Sequence, residues 1–208
     1  MRDTLSDSSL THLWLPSLIK AQAIMDVGVR LAVRHESALR GESPACREKC
    51  AGCCSCRHVT ATPVEVAGAS WQLQRESTPV ARTALDRLAG KEPDGNCPLL
   101  VDGLCAAYSM RFLACRQLVV FGRSCSPGED PFRTRRADVL TPLRTYAFKA
   151  RSLLLPHLGV TRLPSGPEEM DAVLAEVLEP VSSYRITDPA AFLAPLEHGR
   201  AVESKAAA

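Results

Sequence analysis

The stretch Cys46-Arg47-Glu48-Lys49-Cys50-Ala51-Gly52-Cys53-Cys54-Ser55-Cys56 places five cysteines within eleven residues. Four more follow singly, at Cys97, Cys105, Cys115 and Cys125, and the remainder of the 208-residue chain has none. The first three cysteines have the spacing C-x3-C-x2-C, which lets one loop fold around a single metal centre. Thiolates are soft ligands, so this pattern favours zinc, an iron–sulfur cluster or Cu(I) over magnesium or calcium. The sequence therefore predicts a chain organised around chelation by sulfur.

Composition and charge are those of a soluble globular protein, with 46% apolar residues, 23% charged residues and a formal net charge of +2. So small a net charge argues against a nucleic-acid partner or an acidic membrane surface. The first residues lack the basic start and apolar core of a signal peptide, and no apolar run approaches the roughly 20 residues of a membrane helix. An odd count of nine cysteines fits thiols better than disulfides. We therefore expect a reducing compartment, the cytoplasm of a bacterial cell.

The chain before the cysteine loop predicts an amphipathic helix. Its apolar positions share one face at helical spacing: Leu18, Ala21, Ile24, Met25, Leu31 and Ala32. The polar positions predicted to lie opposite are Gln22, Asp26, Arg30 and Arg34. Gly28 weakens this helix by about 0.5–1 kcal/mol relative to alanine. Residues 41–44, Gly-Glu-Ser-Pro, are expected to end it.

Two short helices are predicted after the loop, each starting at a threonine followed by proline. Residues 62–65, Thr-Pro-Val-Glu, have the form of a capping box and open a helix running to about Arg75. Thr78-Pro79 opens the second helix, which Gly90 closes.

An Asp-Gly pair between two apolar runs predicts a β-hairpin, because both central positions of a tight type I′ turn need a positive φ. The pair is Asp102-Gly103, and the hairpin would bring Cys97 and Cys105 near each other. A further apolar run, residues 117–121, fits a strand or a buried helix equally well.

The chain beyond Pro131 has no cysteine and is predicted to be helical. Helices are expected from Thr141-Pro142 towards Leu155, after residues 165–168, and from Asp188-Pro189 to Gly199. The predicted organisation is an N-terminal helical segment (1–42), a cysteine-cluster metal-chelating region (43–130) and a C-terminal helical segment (131–208), forming one compact unit. The predicted fold class is mainly α with a small β-hairpin, with an irregular cysteine-rich metal-chelating core flanked by helices.

The neighbouring cysteines Cys53 and Cys54 constrain how metal can be bound. In an extended segment their side chains point to opposite sides, so they are expected to serve two roles, such as two metal sites or one ligand and one separate thiol. Eight or nine cysteines can fill two tetrahedral four-thiolate sites, or one four-cysteine cluster with thiols in reserve. Both arrangements stay open. The predicted metal ligands are Cys46, Cys50, Cys53, Cys54, Cys97, Cys105, Cys115 and Cys125.

The order of several short motifs resembles the YkgJ-like CxxCxxCC cysteine-cluster family of zinc- or iron-chelating domains, whose cluster also occurs in flagellin lysine methylases. The motifs are residues 50–54 (Cys-Ala-Gly-Cys-Cys), 96–100 (Asn-Cys-Pro-Leu-Leu), 102–105 (Asp-Gly-Leu-Cys) and 108–116 (Tyr-Ser-Met-Arg-Phe-Leu-Ala-Cys-Arg). The resemblance covers about residues 43–126 and leaves Cys56 outside its motifs. The chain departs from the family pattern in its first spacing, C-x3-C rather than C-x2-C, and in Phe112, where the family usually has proline. The resemblance implies a metal-chelating domain with zinc or iron.

The spacing in the cysteine loop also fits two rival interpretations. The spacing of Cys46, Cys50 and Cys53 is also that of a radical S-adenosylmethionine cluster, but such enzymes are α/β barrels and the repeated strand–helix units are missing. A redox pair at Cys50 and Cys53 would normally open a helix after a strand, and no strand precedes this loop.

Other side chains carry weaker signals. His58 is close enough to the loop to bind zinc, although a solvent-facing histidine is the commoner outcome. Arg111 and Arg116 flank Cys115 and could stabilise thiolate charge or form an ordinary salt bridge. The basic run of Arg133, Arg135 and Arg136 is typical of a solvated face.

The predicted function is metal chelation through a zinc or iron–sulfur centre, in a structural or accessory role. The predicted partners are a metal ion and, for the accessory role, another protein. The alternative is an iron–sulfur-dependent redox or modifying enzyme. No catalytic residue is assigned, and whether the protein is an enzyme is left open.

Overall fold

The computed structural model describes residues 12–47, 50–55, 59–91 and 96–197. Within these ranges the α-helices are α1 (Trp14–Arg40), α2 (Pro63–Arg75), α3 (Pro79–Leu88), α4 (Leu113–Gln117), α5 (Pro131–Thr134), α6 (Arg144–Ser152), α7 (Pro167–Val177) and α8 (Pro189–Glu197). The strands are β1 (Thr60–Ala61), β2 (Leu100–Val101), β3 (Leu104–Cys105) and β4 (Glu179–Pro180). The predicted fold class, mainly α with a small β-hairpin, is confirmed.

Helix α1 spans the N-terminal part of the described chain and ends as predicted. Gly41 follows it with φ of 69°, and its N–H donates to the carbonyl of Ser37 over 2.9 Å. The predicted buried face is wrong at two positions, because Leu31 is 39% exposed and Gln22 is buried. The buried stripe runs through Leu18, Met25 and Ala32, and the Gln22 amide reaches the carbonyl of Arg111.

Gly28 lies where α1 packs against Tyr146 of α6. A Cβ on Gly28 would stand 2.4 Å from the Cβ of Tyr146, so only glycine fits against this neighbour. Glycine at position 28 lowers the helix propensity of α1, but it allows α1 to pack against α6, which is distant in sequence.

The predicted capping box of α2 is confirmed and has an additional partner. Glu65 accepts hydrogen bonds from the N–H and the hydroxyl of Thr62, over 2.9 and 2.8 Å. Its other carboxylate oxygen accepts from the N–H of Leu113 over 2.7 Å. Buried Glu65 thus fixes the start of α4, and with it Cys115, against the start of α2. Helix α3 also begins at its predicted Thr78-Pro79 cap.

The hairpin of β2 and β3 is present at the predicted turn. Asp102 and Gly103 have φ of 50° and 75°, as a type I′ turn requires. Strand β3 pairs with β2 so that Cys105 lies opposite Leu100. The ambiguous run 117–121 is neither a regular strand nor a long helix, because α4 ends at Gln117 and Val120 forms an isolated bridge with Val139.

The C-terminal part contains α6, α7 and α8, with one boundary shifted from its predicted place. Helix α6 begins at Arg144 rather than at Thr141, because the N–H of Thr141 donates to Glu36 on α1 over 2.6 Å. The pairing of β1 with β4 was not predicted. Gly199, the predicted end of α8, lies outside the described residues.

Two apolar clusters form most of the interior. The larger joins α1 to α6 and α7 around Trp14, Leu18 and Leu154, and the second, here called the hairpin cluster, lies between α2, α3 and the hairpin. Its largest members are Leu73, Leu88, Leu99, Phe112 and Tyr184.

Across the described ranges, strand pairing is antiparallel in two sheets of two strands, in contrast to the repeated strand–helix units of a radical S-adenosylmethionine barrel. No helix in those ranges is long and apolar enough to span a membrane.

Candidate metal centre

A cavity of about 280 Å³ lies where the cysteine loop, the hairpin, α4 and the chain after α4 meet. Seven cysteines line it: Cys46, Cys50, Cys54, Cys97, Cys105, Cys115 and Cys125. They are present as thiols rather than in disulfides. The side chain of Cys53, the eighth predicted ligand, lies outside the part of the chain that the structure describes, as do Cys56 and His58. Seven of the eight predicted ligands therefore share one cavity.

Three hydrogen bonds hold the cysteine loop against the chain near Cys125. The N–H of Ala45 donates to the carbonyl of Val120 over 2.8 Å, and the N–H of Val120 donates to Sγ of Cys46 over 3.3 Å. The hydroxyl of Ser124 donates to the carbonyl of Ala45 over 3.2 Å. These bonds place Cys46 and Cys125 on the same side of the cavity.

On the other side, the loop is fastened to the hairpin. The N–H of Cys97 donates to the carbonyl of Cys54 over 3.2 Å, and the N–H of Leu100 donates to the carbonyl of Cys97 over 2.9 Å. Since Leu100 pairs with Cys105, these backbone bonds place Cys54, Cys97 and Cys105 on the same side of the cavity. The expected proximity of Cys97 and Cys105 follows from the hairpin.

Cys125 lies beside a buried ion-pair network. Arg135 donates from Nη2 to Sγ of Cys125 over 3.3 Å and from Nε to Glu129 over 2.8 Å. Glu129 also receives two hydrogen bonds of 2.9 Å from the Arg123 guanidinium. The bonds from Arg123, followed by one from the N–H of Ser126, lower the pKa of Glu129 to about 2, although burial opposes the shift. A fixed guanidinium next to a thiol favours the thiolate form that binds metals.

The arginines near the site have different roles. The Arg116 side chain is 8% exposed and pairs with Asp26 of α1 over 2.7 Å, so it joins α4 to α1 as a salt bridge. Arg111 lines the cavity, with its guanidinium 4.7 Å from the Tyr108 ring centroid and bonded to the Tyr108 hydroxyl over 3.0 Å. Of the two arginines that flank Cys115, Arg111 is therefore the one that can contact a group bound in the cavity.

The sequence did not predict the positions of several charged and polar side chains in or near the cavity. Arg135 was assigned to a solvated face, but its side chain is 9% exposed because Glu129 and Asp138 hold it inward. Arg133 of the same run is exposed. Tyr108 stood inside a motif already noted, whereas Glu129 carried no signal in sequence, since its partners are set by the turn after Cys125.

The donor set fits a thiophilic metal, because seven thiols from separated segments face one cavity, with cationic side chains on the same wall. Within the described residues, no group of three or more His, Cys, Asp or Glu side chains stands close enough together to hold an ion as positioned. No family model, curated protein or solved structure matches this chain.

Proposed function

We propose that this protein chelates a thiophilic metal, as zinc or as an iron–sulfur cluster, through the cysteines of the central cavity. The observation that carries the proposal is the meeting of seven cysteines, from positions 46 to 125, on one cavity. The order of the cysteine motifs, which resembles the YkgJ-like family, supports the same chemistry. The ligands proposed are these seven cysteines together with Cys53.

Metal binding would tie together segments that are far apart in sequence. Few regular elements connect the segments that supply these cysteines, which are the loop, the hairpin, α4 and the chain at Cys125. The two strands of the hairpin are only two residues long. Structural zinc contributes binding energy of order 10 kcal/mol, which becomes folding energy when the ligands come from separate segments. This arrangement supports a structural or accessory role for the centre.

The charges around the cavity suit a thiolate-rich centre. Four thiolates around Zn²⁺ leave a net charge of about −2, which nearby cations would stabilise. Arg135 contacts Cys125, and Arg47 and Arg111 line the cavity. These guanidinium groups lower the cost of holding the thiolates close together.

A second candidate function is an iron–sulfur-dependent redox or modifying enzyme. The observation that favours it is the Tyr108–Arg111 pair on the cavity wall, a polar group positioned beside the thiols. A cavity of about 280 Å³ also approaches the lower end of small-molecule pockets. In this case a substrate anion would pair with Arg111.

The proposed location is the cytoplasm, where reducing conditions keep the cysteines available as metal ligands. The accessory role would require a protein partner that receives the metal or is stabilised by the bound form.

The proposal is tested by purifying the full chain anaerobically and measuring zinc, iron and sulfide per chain together with the visible absorption spectrum. We expect zinc or iron at near-integral stoichiometry, with the broad sulfur-to-iron bands only if the centre is a cluster. Protein that binds neither metal, even after anaerobic reconstitution, would contradict the proposal. A cluster whose spectrum changes on addition of small anions, with the change lost in Arg111→Met, would favour the enzyme.

A further inference from the structure

The cysteines of the cavity divide into two sets that lie in different surroundings. Cys97 is buried in the hairpin cluster, and Cys54, Cys105 and Cys115 pack against the same cluster. We call these four the inner set. Among the other cysteines with described side chains, Cys46, Cys50 and Cys125 lie outside that cluster and form the outer set.

Contacts within the inner set are built on the hairpin and α4. The N–H of Cys97 donates to the carbonyl of Cys54 over 3.2 Å. The carbonyl of Cys97 accepts from the N–H of Leu100 over 2.9 Å, and Leu100 lies opposite Cys105 in the hairpin. Cys115 stands on α4, whose first N–H is held by buried Glu65. The inner set thus has four thiols that pack against one apolar cluster.

Contacts within the outer set are built on the crossing of the loop with the chain after α4. Cys125 lies against Gly52, and Cys46 is fixed by Val120 and, through Ala45, by Ser124. Charged groups lie beside this set, because Arg135 donates to Cys125 and pairs with Glu129, which lines the cavity and also pairs with the 60% exposed Arg123.

We infer that the cavity holds two metal centres rather than one, an inner centre on Cys54, Cys97, Cys105 and Cys115 and an outer centre that includes Cys46, Cys50 and Cys125. This inference rests on the proposed function. One tetrahedral ion takes four thiolates at about 2.3 Å and would leave three lining cysteines without a role. The segment Gly52–Ser55 is a 3-10 helix rather than the extended segment considered for Cys53 and Cys54, and with Cys54 in the inner set the cysteine loop still offers Cys46 and Cys50 to the second centre.

The two centres have different properties because their surroundings differ. The inner centre packs against the apolar hairpin cluster and holds the hairpin to the loop, so its metal exchanges slowly and supports the fold. The outer centre lies beside charged side chains, with the 60% exposed Arg123 next to Glu129, so its metal exchanges more quickly than that of the inner centre. The ligand class of the outer centre is a soft divalent ion, as for any thiol-lined site.

The test uses the full chain, reduced and metal-free, titrated with Co²⁺ under anaerobic conditions, because thiolate-bound Co²⁺ has strong charge-transfer and visible bands. Wild-type protein should bind two equivalents. The double variant Cys46→Ser, Cys125→Ser and its matched counterpart Cys97→Ser, Cys105→Ser should each bind one. With zinc-loaded wild type, a chelator should remove one equivalent quickly and the other slowly.

The outcomes separate the inference from the proposed function. No binding of Co²⁺ or zinc, together with no iron–sulfur cluster after anaerobic reconstitution, would overturn the proposed function itself. One equivalent in wild type, or loss of both equivalents in the outer double variant while its helicity is unchanged, would overturn the two-centre inference and leave chelation intact. If circular dichroism shows that the inner double variant does not fold, the metal content of the outer variant and the time course of zinc removal from wild type test the inference. A single removal phase would overturn it.

Discussion

Gly52 lies directly against Cys125, so that a Cβ at position 52 would stand 2.7 Å from the carbonyl oxygen and 3.1 Å from the Cβ of Cys125. The contact joins the cysteine loop to a residue more than seventy positions later. A backbone atom cannot move aside as a flexible side chain can, so glycine is needed where the loop meets the last cysteine.

We therefore expect Gly52→Ala to push the loop away from Cys125 and weaken metal binding. The predicted loss of affinity is about tenfold or more, the scale found for residues that position metal ligands. Competition with a metal indicator measures it. Gly166→Ala is the control, since its added Cβ meets nothing within 4 Å. Equal affinities in both variants would show that the Gly52–Cys125 contact does not shape the site.

Glu129 should stabilise the protein in a pH-dependent way. Its pKa is about 2 in the folded protein and has an ordinary value of 4.5, so its contribution is complete above pH 4.5 and is lost as pH falls towards 2. Glu129→Gln should lower the melting temperature at pH 7, with a difference from wild type that shrinks below pH 4.5.

Thermal unfolding of both proteins between pH 7 and pH 3 measures this difference. The matched control is Glu176→Gln, at an exposed position on α7. A difference in melting temperature that stays constant down to pH 3 would show that the ionised Glu129 carboxylate does not stabilise the protein.

The cysteines should differ in their importance for metal content. Cys50 and Cys115 line the cavity and lie in the family-like motifs, whereas Cys56 lies outside those motifs. We expect Cys56→Ser to keep the metal content of wild type, and Cys50→Ser or Cys115→Ser to lower it. Metal analysis of the three purified variants decides, and equal losses in all three would mean that the ligand assignment is wrong.

Local chemistry in the sequence was sufficient for the elements whose signals are short. The Thr62–Glu65 capping box, the Asp102-Gly103 turn and the Gly41 helix end all depend on residues within one or two turns of each other. The β1–β4 pair could not be found in this way, because two-residue strands about 120 positions apart carry no periodicity.

Side chains whose environment is set by distant partners were harder to predict. Helical periodicity located the buried side of α1 but not its centre, so Leu31 and Gln22 were placed on the wrong faces. Arg135 looked solvated in a basic run, yet Glu129 holds it inward. For the site, spacing predicted one cysteine loop, whereas the approach of Cys125 to that loop depends on Gly52 and is visible only in three dimensions.

Gly28 gives a test of packing that is separate from the metal. Alanine there would gain about 0.5–1 kcal/mol in helix propensity but would overlap Tyr146, at a cost of about 1–3 kcal/mol. We expect Gly28→Ala to lower the free energy of unfolding, measured by urea denaturation. A variant more stable than wild type would show that α1 and α6 can separate without cost.

The central claim, that metal binding through the cavity cysteines holds this fold together, is tested most directly by removing the metal. The measurement is thermal unfolding and helicity of one anaerobic preparation before and after chelation, with metal restored to a third sample. A binding energy of order 10 kcal/mol predicts that the melting temperature falls by at least about 10 °C, with loss of helicity, and that both recover when metal is returned. A metal-free protein that keeps its native helicity and melting temperature would contradict the account.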